Sequence, residues 1–97
     1  MATFVVLAGF TDQGIRNVKD TVNRAEAFKG LARKVGVTVK ELYWTLGRYD
    51  VVAFCEAPDD ETATALSLSI GALGNVRSET LRAFSVDDMK GILGKMA

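Results

Sequence analysis

Val37-Thr38-Val39-Lys40-Glu41-Leu42-Tyr43-Trp44-Thr45-Leu46-Gly47-Arg48-Tyr49-Asp50-Val51-Val52-Ala53-Phe54-Cys55-Glu56-Ala57 is the stretch on which the fold turns. Both halves are rich in β-branched and aromatic residues, and a glycine breaks the middle. It therefore reads as two strands, Val37 to Leu46 and Asp50 to Ala57, joined by a short turn. Glycine at the first central position of a two-residue turn suits type II′, which places the turn at Gly47-Arg48. The alternation puts Leu42, Trp44 and Leu46 on one face of the first strand and Val37, Val39 and Tyr43 on the other.

Working outward, Phe4 to Phe10 is a near-continuous apolar run that reads as a buried strand, ended by Thr11-Asp12-Gln13-Gly14. Val22, Ala25, Phe28, Leu31, Ala32 and Val35 recur at helical spacing, with a break or restart at Asp20-Thr21 and a stop at Gly36. On the other side of the hairpin, Pro58-Asp59-Asp60-Glu61 opens a second helix with acidic residues where its dipole favours them. Ala63, Leu66, Ile70 and Leu73 form its stripe, and Gly74 ends it. Asn75 to Phe84 is the last main strand. Ser85-Val86-Asp87-Asp88 resembles a capping box, with Met89, Ile92, Leu93 and Met96 on the short helix that follows.

The order is β-α-β-β-α-β plus one helix over residues 1–97. This is an α+β, ferredoxin-like pattern: a four-stranded antiparallel sheet with both main helices on one face. The other face carries Val5 and Leu7 from the first strand and has no main helix to cover it. A bare apolar face is rare in soluble monomers. The expectation is a homo-oligomer, dimer or trimer, that pairs through the sheet; the competing reading folds the C-terminal helix across it.

The composition narrows the chemistry. The 97 residues contain twelve Lys+Arg, twelve Asp+Glu and no histidine. Without imidazole there is no Ser-His-Asp triad, His-ligated zinc or proximal-His haem site, so the expectation is no cofactor and no metal. Zero formal charge argues against nucleic-acid and membrane partners. The basic residues of the first helix are interleaved with Asp20 and Glu26 and read as a solvated face. Cys55 is the only cysteine and lies in an apolar run, a buried thiol rather than a nucleophile. Neither a signal-peptide pattern nor a membrane-length apolar stretch is present, so a cytoplasmic location is expected.

Topology brings three turns to one edge of the sheet, here the upper edge: Thr11 to Gly14, Gly47 to Asp50, and Gly74 to Arg77. Polar groups converging there beside Trp44 would make a small-ligand cleft. The candidate ligand-binding residues are Thr11, Asp12, Trp44, Tyr49, Asp50, Asn75, Arg77 and Arg82. Each also has a plain structural role: Thr11 or Asp12 as a helix cap, Asp50 as an acceptor for turn amides, Tyr49 as a packed hairpin aromatic, Gly14 and Gly74 as turn residues. Arg77 and Arg82 have opposite parity on the last strand and so face opposite sides; the one on the helix-free face needs an acidic partner, either Asp50 or a carboxylate of a second subunit or ligand, with Glu41 and Glu79 as lesser candidates.

Four separated segments, Thr11-Asp12-Gln13-Gly14-Ile15, Tyr43 to Asp50, Glu56 to Asp60 and Gly74-Asn75-Val76-Arg77, resemble the GYD domain family. The name-giving residues would be Gly47, Tyr49 and Asp50, with Arg48 between the first two. The resemblance covers essentially the whole chain and implies a ferredoxin-like fold of the dimeric α/β-barrel group, with no established activity. Relatives in that wider group include cofactor-free monooxygenases, small-lactone isomerases, stress-responsive proteins and haem enzymes; the haem members mostly use an axial histidine, which is absent here. Two functions follow as expectations: a small-molecule binder with its cleft at the upper edge, or a regulatory or protein-interaction module that uses its hairpin.

Overall fold

The computed structural model describes residues 1–97. Its elements run β1 (Ala2–Phe10), α1 (Asp12–Arg16), a 3₁₀ turn (Val18–Asp20), α2 (Thr21–Lys34), β2 (Thr38–Trp44), β3 (Val51–Ala57), α3 (Asp60–Ala72), β4 (Val76–Ala83) and α4 (Val86–Leu93). The four strands form one antiparallel sheet in the order β2-β3-β1-β4. The expected ferredoxin-like architecture is therefore the observed one.

Local chemistry sets the boundaries. Thr11 caps α1 by accepting from the Gly14 amide at 3.1 Å, and Asp59 caps α3 by accepting from the Thr62 amide at 2.7 Å. At the end of α2 the Val37 amide reaches the Ala32 carbonyl and the Gly36 amide reaches that of Arg33. This closure needs the left-handed backbone at Gly36, whose φ is +84°. It also delivers Val37 into the core, where it is almost wholly buried. In α4, Ser85 and Asp88 bond each other's amides at 3.0 Å, and the Ser85 N–H holds the Asp88 carboxyl below its ordinary range.

Phe4, Ala53, Cys55 and Ala57 from the sheet pack with Ala32, Ala63 and Leu66 from the helices. Burial pushes the Cys55 thiol up to about 11. The opposite face of the sheet is bare within the chain. Its central rows run Glu41–Phe54–Val5–Leu81 and Tyr43–Val52–Leu7–Glu79 across neighbouring strands. Phe54, Leu81 and Tyr43 are exposed there. The C-terminal helix does not fold across this face: α4 makes no substantial packing with any strand, and Val86, Met89, Leu93 and Met96 are all exposed.

Two expectations are corrected. The hairpin turn is not the two-residue Gly47-Arg48 turn: β2 stops at Trp44, and a four-residue loop, Leu46 to Tyr49, is closed by the Thr45 amide on the Asp50 carbonyl at 2.8 Å. Gly47 in that loop has φ +132°. The faces of β2 also differ from simple alternation. A bulge between Val39 and Glu41 changes the parity, so that Val39, Leu42 and Trp44 all lie on the helix side and Tyr43 on the bare side.

Candidate functional site

The first and third turns of the upper edge are welded together. The Thr11 amide donates to the Asn75 carbonyl at 3.1 Å, and the Thr11 hydroxyl donates to the Gly74 carbonyl at 2.6 Å. Gln13 Nε2 donates to the Leu73 carbonyl and to Asn75 Oδ1, at 3.1 and 2.9 Å. Gly14 is buried against this junction; a methyl group there would stand 1.9 Å from the Asn75 carbonyl oxygen. Gly14 is thus a close-packing glycine rather than a turn residue.

The second turn joins the same edge through Asp50. Its amide donates to the Ala8 carbonyl at 2.9 Å, and its Oδ2 accepts from the Phe10 amide at 2.8 Å. β3 begins one residue later, so the carboxylate stands where a strand carbonyl would otherwise satisfy Phe10. Replacing Asp50 with alanine leaves that part-buried N–H without its acceptor and is expected to cost about 1–3 kcal/mol, whereas Asp50→Asn retains an acceptor and most of the stability. Chemical denaturation of the two variants checks this.

Tyr49 donates to Glu79 Oε1 at 3.1 Å, and the Arg48 guanidinium lies over the Tyr49 ring. Trp44 Nε1 donates to Thr21 Oγ1 at 3.0 Å, tying β2 to the start of α2. Arg24 donates to the carbonyls of Asn17 and Gly14 and lies over the Phe10 ring. Asp12 and Arg77 are exposed and make no side-chain hydrogen bond or ion pair. Of the eight candidate residues, Thr11, Asp12, Trp44, Tyr49, Asp50, Asn75 and Arg77 lie along this edge. Arg82 does not. It pairs in register with Phe4 at the other end of the sheet, stacked over the Phe4 and Phe84 rings. Gln13, read from the sequence as part of a turn, lies in α1, and Thr21 and Arg24 carry no signal in the sequence because they sit on a helix, where polar residues ordinarily face water.

Below the edge, the helices leave a gap. A cleft of about 170 Å³ separates α2 and α3 from the sheet, walled by Val6, Phe28, Leu31, Leu42, Leu66 and Ile70. It runs from the region of Val37 and Ala57 up to Trp44 and Asn75. The cleft opens to solvent along part of its rim, so its apolar walls stand against water rather than against packed side chains. No group of three or more Cys, Asp or Glu side chains is placed to hold a metal ion, and no helix is long and apolar enough to cross a membrane.

A ferredoxin-like α+β domain with an interlocked polar edge and one bare sheet face is the class that these features define. The chain belongs to the GYD domain family, whose pattern it matches over residues 4–93. It is 38% identical, over 92% of its length and 95% of the relative's, to a Thermus thermophilus protein named glutamine synthetase and cystathionine beta-lyase binding protein. A crystal structure of TTHA0845, from the same Thermus thermophilus strain, superposes with a TM-score of 0.59 at 30% identity, covering 89% of this chain and 96% of that one.

Proposed function

We propose that this protein is a homo-oligomeric protein-binding module that pairs through its bare sheet face and presents the β2–β3 hairpin tip to partner enzymes. The observation that carries this reading is the tip itself. Leu46 is fully exposed in a loop that is closed by the Thr45 amide on the Asp50 carbonyl and the Thr45 hydroxyl on the Tyr49 carbonyl. An exposed apolar side chain on a loop closed in this way costs less conformational freedom on docking than one on an open loop. The Thermus relative's name, which specifies binding to two enzymes, supports the same reading. Purified glutamine synthetase and cystathionine beta-lyase, immobilised in turn, should each be tried against the wild type and Leu46→Asp. The expected result is binding to at least one, weakened tenfold or more by the substitution. Equal binding by a folded Leu46→Asp protein overturns the role of the tip.

A second reading places a small polar ligand at the upper edge. What favours it is Arg77, whose guanidinium makes no intrachain bond although its register partner on β1, Gly9, has the Asp50 carboxylate beside it.

A further inference from the structure

The cleft between α2, α3 and the sheet lies apart from both the hairpin tip and the bare face, and its chemistry differs from that of the polar edge. We infer that it is a binding site for a small, neutral, apolar molecule with the bulk of a single aromatic ring or a short branched hydrocarbon. The volume sets the size: about 170 Å³ is close to the roughly 150 Å³ of an apolar cavity known to take benzene.

The lining sets the chemistry. Twenty of the twenty-six residues around the cleft are hydrophobic. The polar six are Thr21, Arg24, Ser67, Asn75, Ser78 and Thr80, and five of them are already engaged. Thr21 accepts from Trp44, Arg24 donates to two carbonyls, Ser67 and Thr80 bond each other, and Asn75 accepts from Gln13. The one cation on the wall therefore has its donors directed at backbone oxygens, and no acidic residue lines the cleft. A charged ligand would lose its water and find no partner. An apolar one replaces contacts that the gap forfeits.

The small floor is what makes the room. On neighbouring strands Ala8 pairs with Val51 and Ala53 with Val6, so the two alanines lie on a diagonal, and all four side chains line the cleft on the helix side. A larger side chain at either alanine would fill the space from within. Occupancy is independent of partner docking, since Leu46 and the Leu46–Tyr49 loop form no part of the lining.

The experiment titrates the full-length protein with benzene and toluene, and with benzoate as a charged mimic of the same size. Melting temperature and methyl NMR shifts of the leucines and isoleucines are followed. Benzene and toluene should raise the melting temperature in a saturable way and shift the resonances of Leu31, Leu42, Leu66 and Ile70, while benzoate should do neither. Ala53→Leu should weaken benzene binding tenfold or more; Ile70→Phe, which fills the cleft from the helix side, makes the same test should Ala53→Leu fail to fold. The inference is overturned by any of three results: no saturable effect of benzene or toluene, equal binding of benzoate, or wild-type affinity in a folded filling variant. Leu46→Asp should bind benzene as the wild type does, so that failure here and failure of the protein-binding reading are told apart.

Discussion

Gly14→Ala is expected to lower the melting temperature by roughly 12–24 °C, which for a domain of about this size corresponds to about 3 kcal/mol. The added methyl would meet the Asn75 carbonyl oxygen at 1.9 Å and its carbon at 2.9 Å. Both are backbone atoms, so no rotamer change relieves the clash, and α1 must move off the start of β4. That movement stretches the Thr11–Asn75, Thr11–Gly74 and Gln13–Asn75 bonds together. The control is Gly30→Ala, in the middle of α2 with nothing within 4 Å of the new carbon. It should stabilise by about 0.5–1 kcal/mol, because alanine is the better helix former. Differential scanning calorimetry of the pair separates the close-packing effect from glycine's ordinary helix penalty; equal melting temperatures for wild type and Gly14→Ala would refute the close approach.

The second large effect is expected at Phe54. On the proposed sheet-to-sheet assembly this ring lies in the middle of the interface, opposite Val5 on β1 and beside Glu41 on β2. Phe54→Asp would bury an unpaired carboxylate among apolar side chains of two subunits, and the association constant should fall at least a hundredfold. The folded subunit should tolerate the change, because Phe54 points away from Ala53 and Cys55 and takes no part in the helix-side core. Multi-angle light scattering across a dilution series, with circular dichroism to confirm the fold, reads both consequences. A wild-type monomer at all concentrations, or an unchanged oligomer in Phe54→Asp, excludes assembly through this face.

Most of the fold was legible in the sequence because its signals are local and repeated. Val22 through Val35 and Ala63 through Leu73 mark helices by spacing, Gly36 and Gly74 end them, and the apolar runs around Val5 and Ala53 mark strands. What escaped depends on a single residue or on long-range placement. One extra residue at Lys40 bulges β2 and reverses which side Val39 shares with Leu42, and nothing in the residue types announces it. The hairpin loop is longer than a type II′ turn because Thr45 closes it onto Asp50, a pairing that composition does not encode.

The upper edge was found in the sequence as a place, without its internal wiring. Residue type and topology put Thr11, Asp50 and Asn75 near one another as polar residues. The structure spends much of their hydrogen-bonding capacity on the ends of β1 and β4 and the stop of α3. Such ends leave donors and acceptors that neighbouring side chains must satisfy. Arg82 was misplaced for a different reason. Parity assigns the face of a strand but says nothing about position along it, and Arg82 lies opposite Phe4 rather than Phe10.

The lone cysteine gives the molecule a built-in stopwatch. Cys55 sits in β3 with neighbours on both sides, nearly inaccessible and with its thiol pushed up to about 11. At pH 8 that leaves on the order of one thiol in a thousand ionised, and a modifying reagent attacks the thiolate. Cys55 packs beneath Ala32, Ala63 and Leu66, so disulfide exchange with a bulky chromogenic reagent follows the lifting of the helices off the sheet. Its rate reports that opening without any engineered label, in a chain with no second thiol to blur the signal.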